Sequence, residues 1–310
     1  SSLTTIAQNT TYKKTQNGTS FNESFIDVAL IGDAMYMTLK EEGKIVKATD
    51  NTLSNSNATV SIADGNFEQA LIDLGFDKNG LNGNILKTDA EAITELKLEN
   101  TAGNSSLPNV PAKITSLTGI EAMINLTYLD VYNNNLTAVD LSKNTKLTTL
   151  YIGQNQLTGL DISKNLDLKL LYASNNNIEA FDASNNTKLE VLDLNGQTNK
   201  LSALNIVGAS ALRQLYLWKN ELGSIDLSSL PGLEEFGTSD SELTALDVSS
   251  NTILKKLWAV NNKISAIDVS KNTALTSLYL RANQLTTIDV SNNTDLEYLE
   301  VPENQLTTID

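Results

Sequence analysis

Cysteine and histidine are both absent from the 310 residues. Their absence removes disulfides, thiol nucleophiles, imidazole bases and most zinc or copper sites, leaving carboxylates, lysine, tyrosine and hydroxyls for any chemistry. Basic charge is scarce as well: 22 Lys plus Arg stand against 37 Asp plus Glu, a formal charge of -15. That balance argues against a nucleic-acid partner, because counterion release needs clustered cations. Long apolar runs are missing. A membrane-spanning helix takes about 18 or more apolar residues, and the best stretch, Phe25 to Leu39, is broken by Asp27, Gly32 and Asp33. The chain begins at Ser1, so a targeting segment cannot be read from it. What is present, 40% hydrophobic and 19% charged residues, suffices for a continuous core in one elongated domain or two compact ones.

The apolar residues recur. Leucines at 126, 147, 168, 189, 212, 233, 254, 275 and 296 are spaced by 21, with one spacing of 23. Each unit reads L-x-x-L-x-L-x-x-N-x-L-x-x-L-D-V-S-x-N-T-x, and residues 126–310 hold eight complete units and most of a ninth. The two extra residues of the long unit fall in "NGQTN", residues 195–199. Positions 4 and 6 alternate with polar or aromatic residues at 3, 5 and 7, the period of a short strand with one face inward. Positions 14 to 16 alternate again and predict a second extended segment on the opposite side of each coil. Position 9 is Asn134, Asn155, Asn176, Asn199, Asn220, Asn262, Asn283 and Asn304, with Ser241 as the exception. An amide supplies both donor and acceptor to a buried turn, so the column reads as an asparagine ladder.

This grammar resembles the leucine-rich-repeat family, in particular the 21-residue repeats of bacterial surface proteins similar to the internalins and to leucine-rich surface proteins of the Bacteroidota. The resemblance covers roughly residues 60–310. It implies an α/β leucine-rich-repeat solenoid, β-rich and curved, with a parallel concave sheet and a helical N-terminal cap. It also implies a secreted or bacterial cell-surface setting and a role in adhesion or protein binding. Relatives of this type often carry cysteine at position 6. Here that position holds Val131, Ile152, Ala173, Leu194, Leu217, Thr238, Ala259, Leu280 and Val301, so a thiol ladder is absent.

A stacked-coil core needs covered ends. Residues 60–125 are expected to form the N-terminal cap and an irregular first repeat. Phe67, Ala70, Leu71 and Leu74 share one helical face, Gly75 ends that helix, and Thr88 with Glu91 has the spacing of a capping box for a second. Residues 1–59 read as an Asn/Ser/Thr-rich leader or small β module, with residues 25–40 as a hairpin. Residues 126–310 are the solenoid proper; the sequence stops at Asp310 inside a repeat and without a C-terminal cap, so further chain or a partner is expected over the last coil.

Three sets of residues are candidates for function. Asp140, Asp161, Asp182, Asp226, Asp247, Asp268, Asp289 and Asp310 form a column at position 15, with Asn205 in the remaining unit. Stacked neighbours lie about 5 Å apart, where exposed carboxylates repel by roughly 1 kcal/mol. A row of cation ligands is one reading. The favoured one is an acceptor for nearby backbone in each tight turn, which amide and carboxylate share. "DKNGLNGNILKTD", residues 77–89, is similar to an EF-hand calcium loop out of register. Counting back from Ile85 places Asn82, Gly83 and Asp89 correctly but puts Lys78 and Gly80 where oxygens belong; discounting one extra residue restores Asp77 and Asn79. Asp77, Asn79, Asn82 and Asp89 are thus weak calcium candidates, with a solvated turn as the alternative and no other cofactor or metal expected.

The aromatics form the third set. Tyr128, Tyr132, Tyr151, Tyr172, Tyr216, Tyr279, Tyr298, Trp218 and Trp258 all fall at outward positions 3, 5 or 7, while Phe181 and Phe236 fall at inward ones. Tyrosine and tryptophan suit recognition surfaces because they bury area at small entropic cost and still hydrogen-bond. Cross-strand packing alone is the other reading. The expected binding residues are Tyr132, Tyr151, Tyr172, Tyr216, Trp218, Trp258 and Tyr279. Lys256 and Arg281 would anchor a carboxylate beside them, and Glu234, Glu235, Glu300 and Glu303 would form an acidic rim. A protein or glycan partner fits this surface; a spacer whose coils set only length is the alternative. An enzyme is not expected, since no nucleophile and base are paired.

Overall fold

The computed structural model describes the backbone of strands Thr4–Gln8, Thr11–Gln16, Thr19–Ile31, Ala34–Leu39 and Ile45–Lys47, and of residues 58–309, with side chains described over 58–308. Two compact units result, Ser1–Thr59 with Leu86–Thr88 and Val60–Ile85 with Asp89–Asp310. The first contains a five-stranded antiparallel sheet in which Thr19–Ile31 pairs with Thr4–Gln8, Thr11–Gln16 and Ala34–Leu39. The hairpin expected over residues 25–40 is present, with Phe25 opposite Leu39 at one end and Ile31 opposite Ala34 at the other. Residues 48–57 lie outside the described residues.

The second unit is a solenoid of 21-residue coils. Ten three-residue strands, from Glu95–Lys97 to Tyr298–Glu300, form one parallel sheet in which each coil pairs in register with the next. The central residue of each strand points inward. Leu96, Leu129, Leu150, Leu171, Leu192, Leu215, Phe236, Leu257 and Leu278 are fully buried, and Leu299 of the edge strand is 37% exposed. The buried nine, with most apolar residues of positions 1, 6 and 11, belong to one core cluster running from Ile62 to Ile288. On the other side of the coils, the second extended segment forms paired strands in two places, Ala180–Asp182 with Ala203–Asn205 and Thr287–Ile288 with Thr308–Ile309.

Helix α1 (Gly65–Asp73) buries Phe67, Ala70 and Leu71 completely in the same core. Asp64 caps it, accepting the N–H groups of Asn66 and Phe67 on Oδ1 at 2.8 and 3.2 Å, while its Oδ2 accepts the Thr115 hydroxyl at 2.6 Å. Gly75 ends the helix as expected, at φ 76°. Thr88 and Glu91 both lie in α2 (Lys87–Ala92).

Two amide ladders hold the coils together. At position 9, the Asn155 amide donates to Val131 O of the preceding coil at 3.0 Å and to Ile152 O of its own at 3.1 Å, and its Oδ1 accepts from Leu136 N at 3.0 Å. Asn134, Asn176, Asn220, Asn262, Asn283 and Asn304 repeat this pattern. Asn199 does not belong to it. Gln197 takes the place, 1% exposed, accepting from Ile178 N at 3.0 Å and donating to Ala173 O at 3.0 Å. The two additional residues therefore follow the ladder position, and the longer side chain still reaches both groups. A second ladder stands at position 19: Asn144, Asn165, Asn186, Asn251, Asn272 and Asn293 are buried, and each donates two hydrogen bonds to carbonyls of the coil before. Position 8, just before the first ladder, is left-handed in coil after coil, from Asn133 at φ 57° to Ala282 at φ 55° and Glu303 at φ 58°.

Candidate binding surface

Strand alternation places residues 3, 5 and 7 of each coil on the outer face of the ten-stranded sheet, half-buried rather than free, because the neighbouring coils stand one strand spacing away. The aromatic side chains gather there in two groups. Tyr151 and Tyr172 stack with centroids 4.7 Å apart and planes 3° off parallel, and Tyr128 tilts against Tyr151 at 5.8 Å. Tyr132 lies over Gly153, where a Cβ would come 3.3 Å from its ring. Further along, Tyr216, Trp218, Trp258 and Tyr279 form a four-ring cluster. Trp218 meets Tyr216 at 5.8 Å and Trp258 edge-on at 6.3 Å, and Trp258 stacks on Tyr279 at 6.0 Å. Trp218 lies across the strand Glu235–Gly237 because Gly237 has no side chain; a Cβ there would stand 2.7 Å from the indole Cε2. The indole Nε1 is buried and unpartnered.

The polar groups of this face are spent on one another. Glu235 accepts the Tyr216 hydroxyl at 2.6 Å on one oxygen and holds Lys256 Nζ at 3.0 Å on the other. Lys256 also sits 5.9 Å from the Trp258 ring. Arg281 pairs with Glu303, its Nε at 3.1 Å, and Glu234 pairs with Arg213 and, at 2.7 Å, with Lys255. The two cations expected to anchor a partner's carboxylate thus already hold carboxylates of this chain. Burial, and after it Glu235, pushes the Tyr216 phenol well above its ordinary range; burial and Asp130 push Tyr128 up to about 12. Asp130 and Asp193, at position 5 of their coils, are pushed up by burial although each accepts a backbone N–H two residues on.

The aspartate column is elsewhere. Asp140, Asp161, Asp182, Asp226, Asp247, Asp268 and Asp289 each accept the N–H of the serine two residues on at 2.8–2.9 Å, and Asn205 accepts that of Val207 at 3.3 Å. These are the turn acceptors of the favoured reading; Asp310 lies outside the described residues. A groove lined by Leu160, Phe181 and Leu204 opens beside them, but Asp161 and Asp182, the carboxylates in its wall, are engaged in the turns. Asp77, Asn79 and Asn82 lie in the loop between the two helices, linked by Asn79 N to Asp77 and Asn82 to Asn79 O, and Asp89 lies in the first turn of α2, far in sequence from the aromatic face. Sequence reasoning missed Glu68, which accepts the N–H groups of Asn82, Gly83 and Asn84 on a single oxygen at 2.6–3.0 Å. It is 2% exposed beside the apolar face of α1, and a charged residue type gave no signal of that burial.

Parallel stacked coils, leucine-lined core and amide ladder define a leucine-rich-repeat solenoid. A family model for leucine-rich repeats in two copies matches residues 124–165. No curated protein matches the chain by sequence. Among solved structures, an internalin (inlF) from Listeria monocytogenes is similar at 28% identity with a TM-score of 0.59, over 80% of this chain and 78% of that one. The functional domain of InlJ from Listeria monocytogenes, which includes a cysteine ladder, is similar at 25% identity with a TM-score of 0.54 over 82% of this chain; the match spans 64% of that chain's length. Internalin C2 from the same species, at 20% identity and a TM-score of 0.53 over 80% of this chain and 94% of that one, shares the fold. The repeat architecture is internalin-like. This chain differs from the InlJ domain in having no cysteine. No helix among the described residues is long and apolar enough to cross a membrane.

Proposed function

We propose that this chain is a secreted or cell-surface binding module that docks a protein partner on the outer face of its sheet, centred on Tyr216, Trp218, Trp258 and Tyr279. The observation that carries the reading is the four-ring cluster itself, which gathers large side chains on a solvent-facing sheet where the core does not need them. A protein suits this cluster better than a glycan does. The rings stack and tilt against one another, so their faces are partly used, whereas a sugar ring needs an open aromatic face. The internalin-like fold supports the extracellular setting.

Replacing Tyr216, Trp218 and Trp258 with alanine tests the proposal. Binding of candidate partners, read by surface capture alongside a glycan array, should fall at least tenfold, since a single aromatic anchor is worth about 2 kcal/mol or more. The melting temperature should change little. Gly237→Ala is the gentler variant: its Cβ displaces only the Trp218 ring, so it should weaken capture and shift tryptophan fluorescence while the coils stay folded. Unfolding of the triple variant, or capture equal to wild type, would reject the surface. A spacer would instead keep its activity after deletion of a whole 21-residue coil.

A further inference from the structure

The loop between α1 and α2 carries a second site. It begins with Asp77, 4% exposed, whose Oδ2 has no hydrogen-bond partner although it is buried. Asp89, in the first turn of α2, also has a buried and unpartnered Oδ2. Two carboxylate oxygens left bare at the two ends of this connection are costly without a positive group to meet them. Lys78 reaches Asp89 at 3.2 Å, but on Oδ1, and its own side chain is 70% exposed.

Further oxygens of the loop lie beside Asp77, and the Asn82 Oδ1 accepts Asn84 N at 3.1 Å. The Asn79 side-chain oxygen faces Asp77 Oδ1 and the backbone carbonyl of Asn84. Acceptors set this close repel: with no ion present the amide turns over and its nitrogen donates to Asp77 Oδ1, whereas a bound cation would keep the oxygen inward and spread the two apart. The loop geometry also resolves the register left open by the sequence. Leu81 is 62% exposed and follows Gly80, whose φ is 82°, so it bulges outward as the extra residue. With it set aside, Asp77, Asn79, Asn82, Asn84 and Asp89 occupy loop positions 1, 3, 5, 7 and 12. Gly83, at φ 81°, takes the sharp turn at 6, and fully buried Ile85 takes the apolar place at 8. Glu68 fixes this half of the loop through the three N–H groups it accepts.

We infer that this loop binds a calcium ion through Asp77, Asn79, Asn82, Asp89 and the carbonyl of Asn84. Among the described residues no three acidic, histidine or cysteine side chains converge as a metal cluster. The donor set here is instead two carboxylates with amide and peptide oxygens, the hard, oxygen-only and irregular set that calcium accepts and magnesium does not. With two carboxylates and a final Asp in place of a bidentate Glu, the site belongs at the weak end of such loops, with a Kd of about 0.1–1 mM.

The test is thermal unfolding of the full chain after chelator treatment, at fixed ionic strength. Calcium chloride at 10 mM should raise the melting temperature by about 2–4 °C, and magnesium chloride should not. Asp77→Asn should abolish the calcium response. Asn79→Asp separates the two readings of the facing oxygens. A cation site gains a charged ligand and binds calcium about tenfold tighter by calorimetry; a turned-over amide is replaced by a repelling carboxylate, which lowers the melting temperature with no rescue by calcium. That second outcome, no shift in wild type at 10 mM calcium, or an equal shift with magnesium, would overturn the assignment.

Discussion

Asp193 and Asp247 make the same local hydrogen bond, each accepting the N–H two residues on at 2.9 Å, yet the environment moves them in opposite directions. On the turn side, Asp247 and its counterparts are exposed, and the serine beside each holds its carboxyl below the ordinary range. On the sheet side, Asp193 stands between the coils of Tyr172 and Tyr216, and burial pushes it up. The turn is alike in both; the side of the coil decides. On the turn side the aspartates are satisfied and repeated, and the unpartnered atoms there, the buried Oδ1 oxygens of the second ladder, repeat with them. Half-buried charge, raised phenols and an unpartnered indole N–H collect on the sheet side, where local rules are broken as they are at binding sites.

The widest contrast comes from the ladder. Asn176→Ala would leave Leu157 N without a partner inside the solenoid and take one of two hydrogen bonds from each of Ile152 O and Ala173 O, and should cost about 3 kcal/mol in denaturant unfolding. No change to an exposed residue of the sheet face should approach that. Next come the two aspartates. Asp193, with its folded pKa raised, favours the native state fully below the unfolded value of about 3.9 and loses that contribution as pH rises through the folded value. Asp193→Asn should therefore stabilise at pH 7 and be neutral near pH 3. Asp247 has the opposite sign: its contribution is present above about pH 3.9 and is lost as pH falls through its lower folded value. Asp247→Asn should thus mildly destabilise at pH 7, and parallel pH curves for the two variants would erase the distinction. The smallest effect is backbone strain. Ala282 is left-handed at φ 55°, which costs about 1–2 kcal/mol and is partly offset by the freedom glycine has when unfolded. Ala282→Gly should stabilise by about 0.5–1 kcal/mol, read in the same melts.

Most of the scaffold could be read from residue spacing. Leucine columns, inward phenylalanines, the position 9 ladder and the turn aspartates are all periodic, and a 21-residue period constrains each one many times over. The misreadings occur where the period breaks or gives no orientation. Asn199 matches the residue type of the ladder, whereas Gln197 stands at the ninth place counted from Leu189. The second ladder was visible as asparagines at 144, 165, 186, 251, 272 and 293, but they lie in polar "SKNT"-like stretches that read as exposed. The pairing of Lys256 with Glu235 and of Arg281 with Glu303 joins neighbouring coils, roughly one repeat apart, and linear spacing does not say which of several carboxylates a flexible side chain reaches. In the helix-connecting loop, only the folded chain shows Leu81 to be the residue that stands out of line.

Both amide ladders reach backward: each side chain donates to carbonyls of the coil before it, and the first ladder also accepts an N–H from that coil. Each carbonyl so used is already met once within its own coil, and the successor's asparagine adds a second bond, so what an asparagine reaches back to has been made before it. During synthesis on a ribosome, the nascent solenoid would close one turn at a time in the order of translation, with only the newest coil loose. An asparagine lost early in the chain should therefore stall assembly downstream of itself rather than upstream, an asymmetry that a finished, symmetric-looking stack conceals.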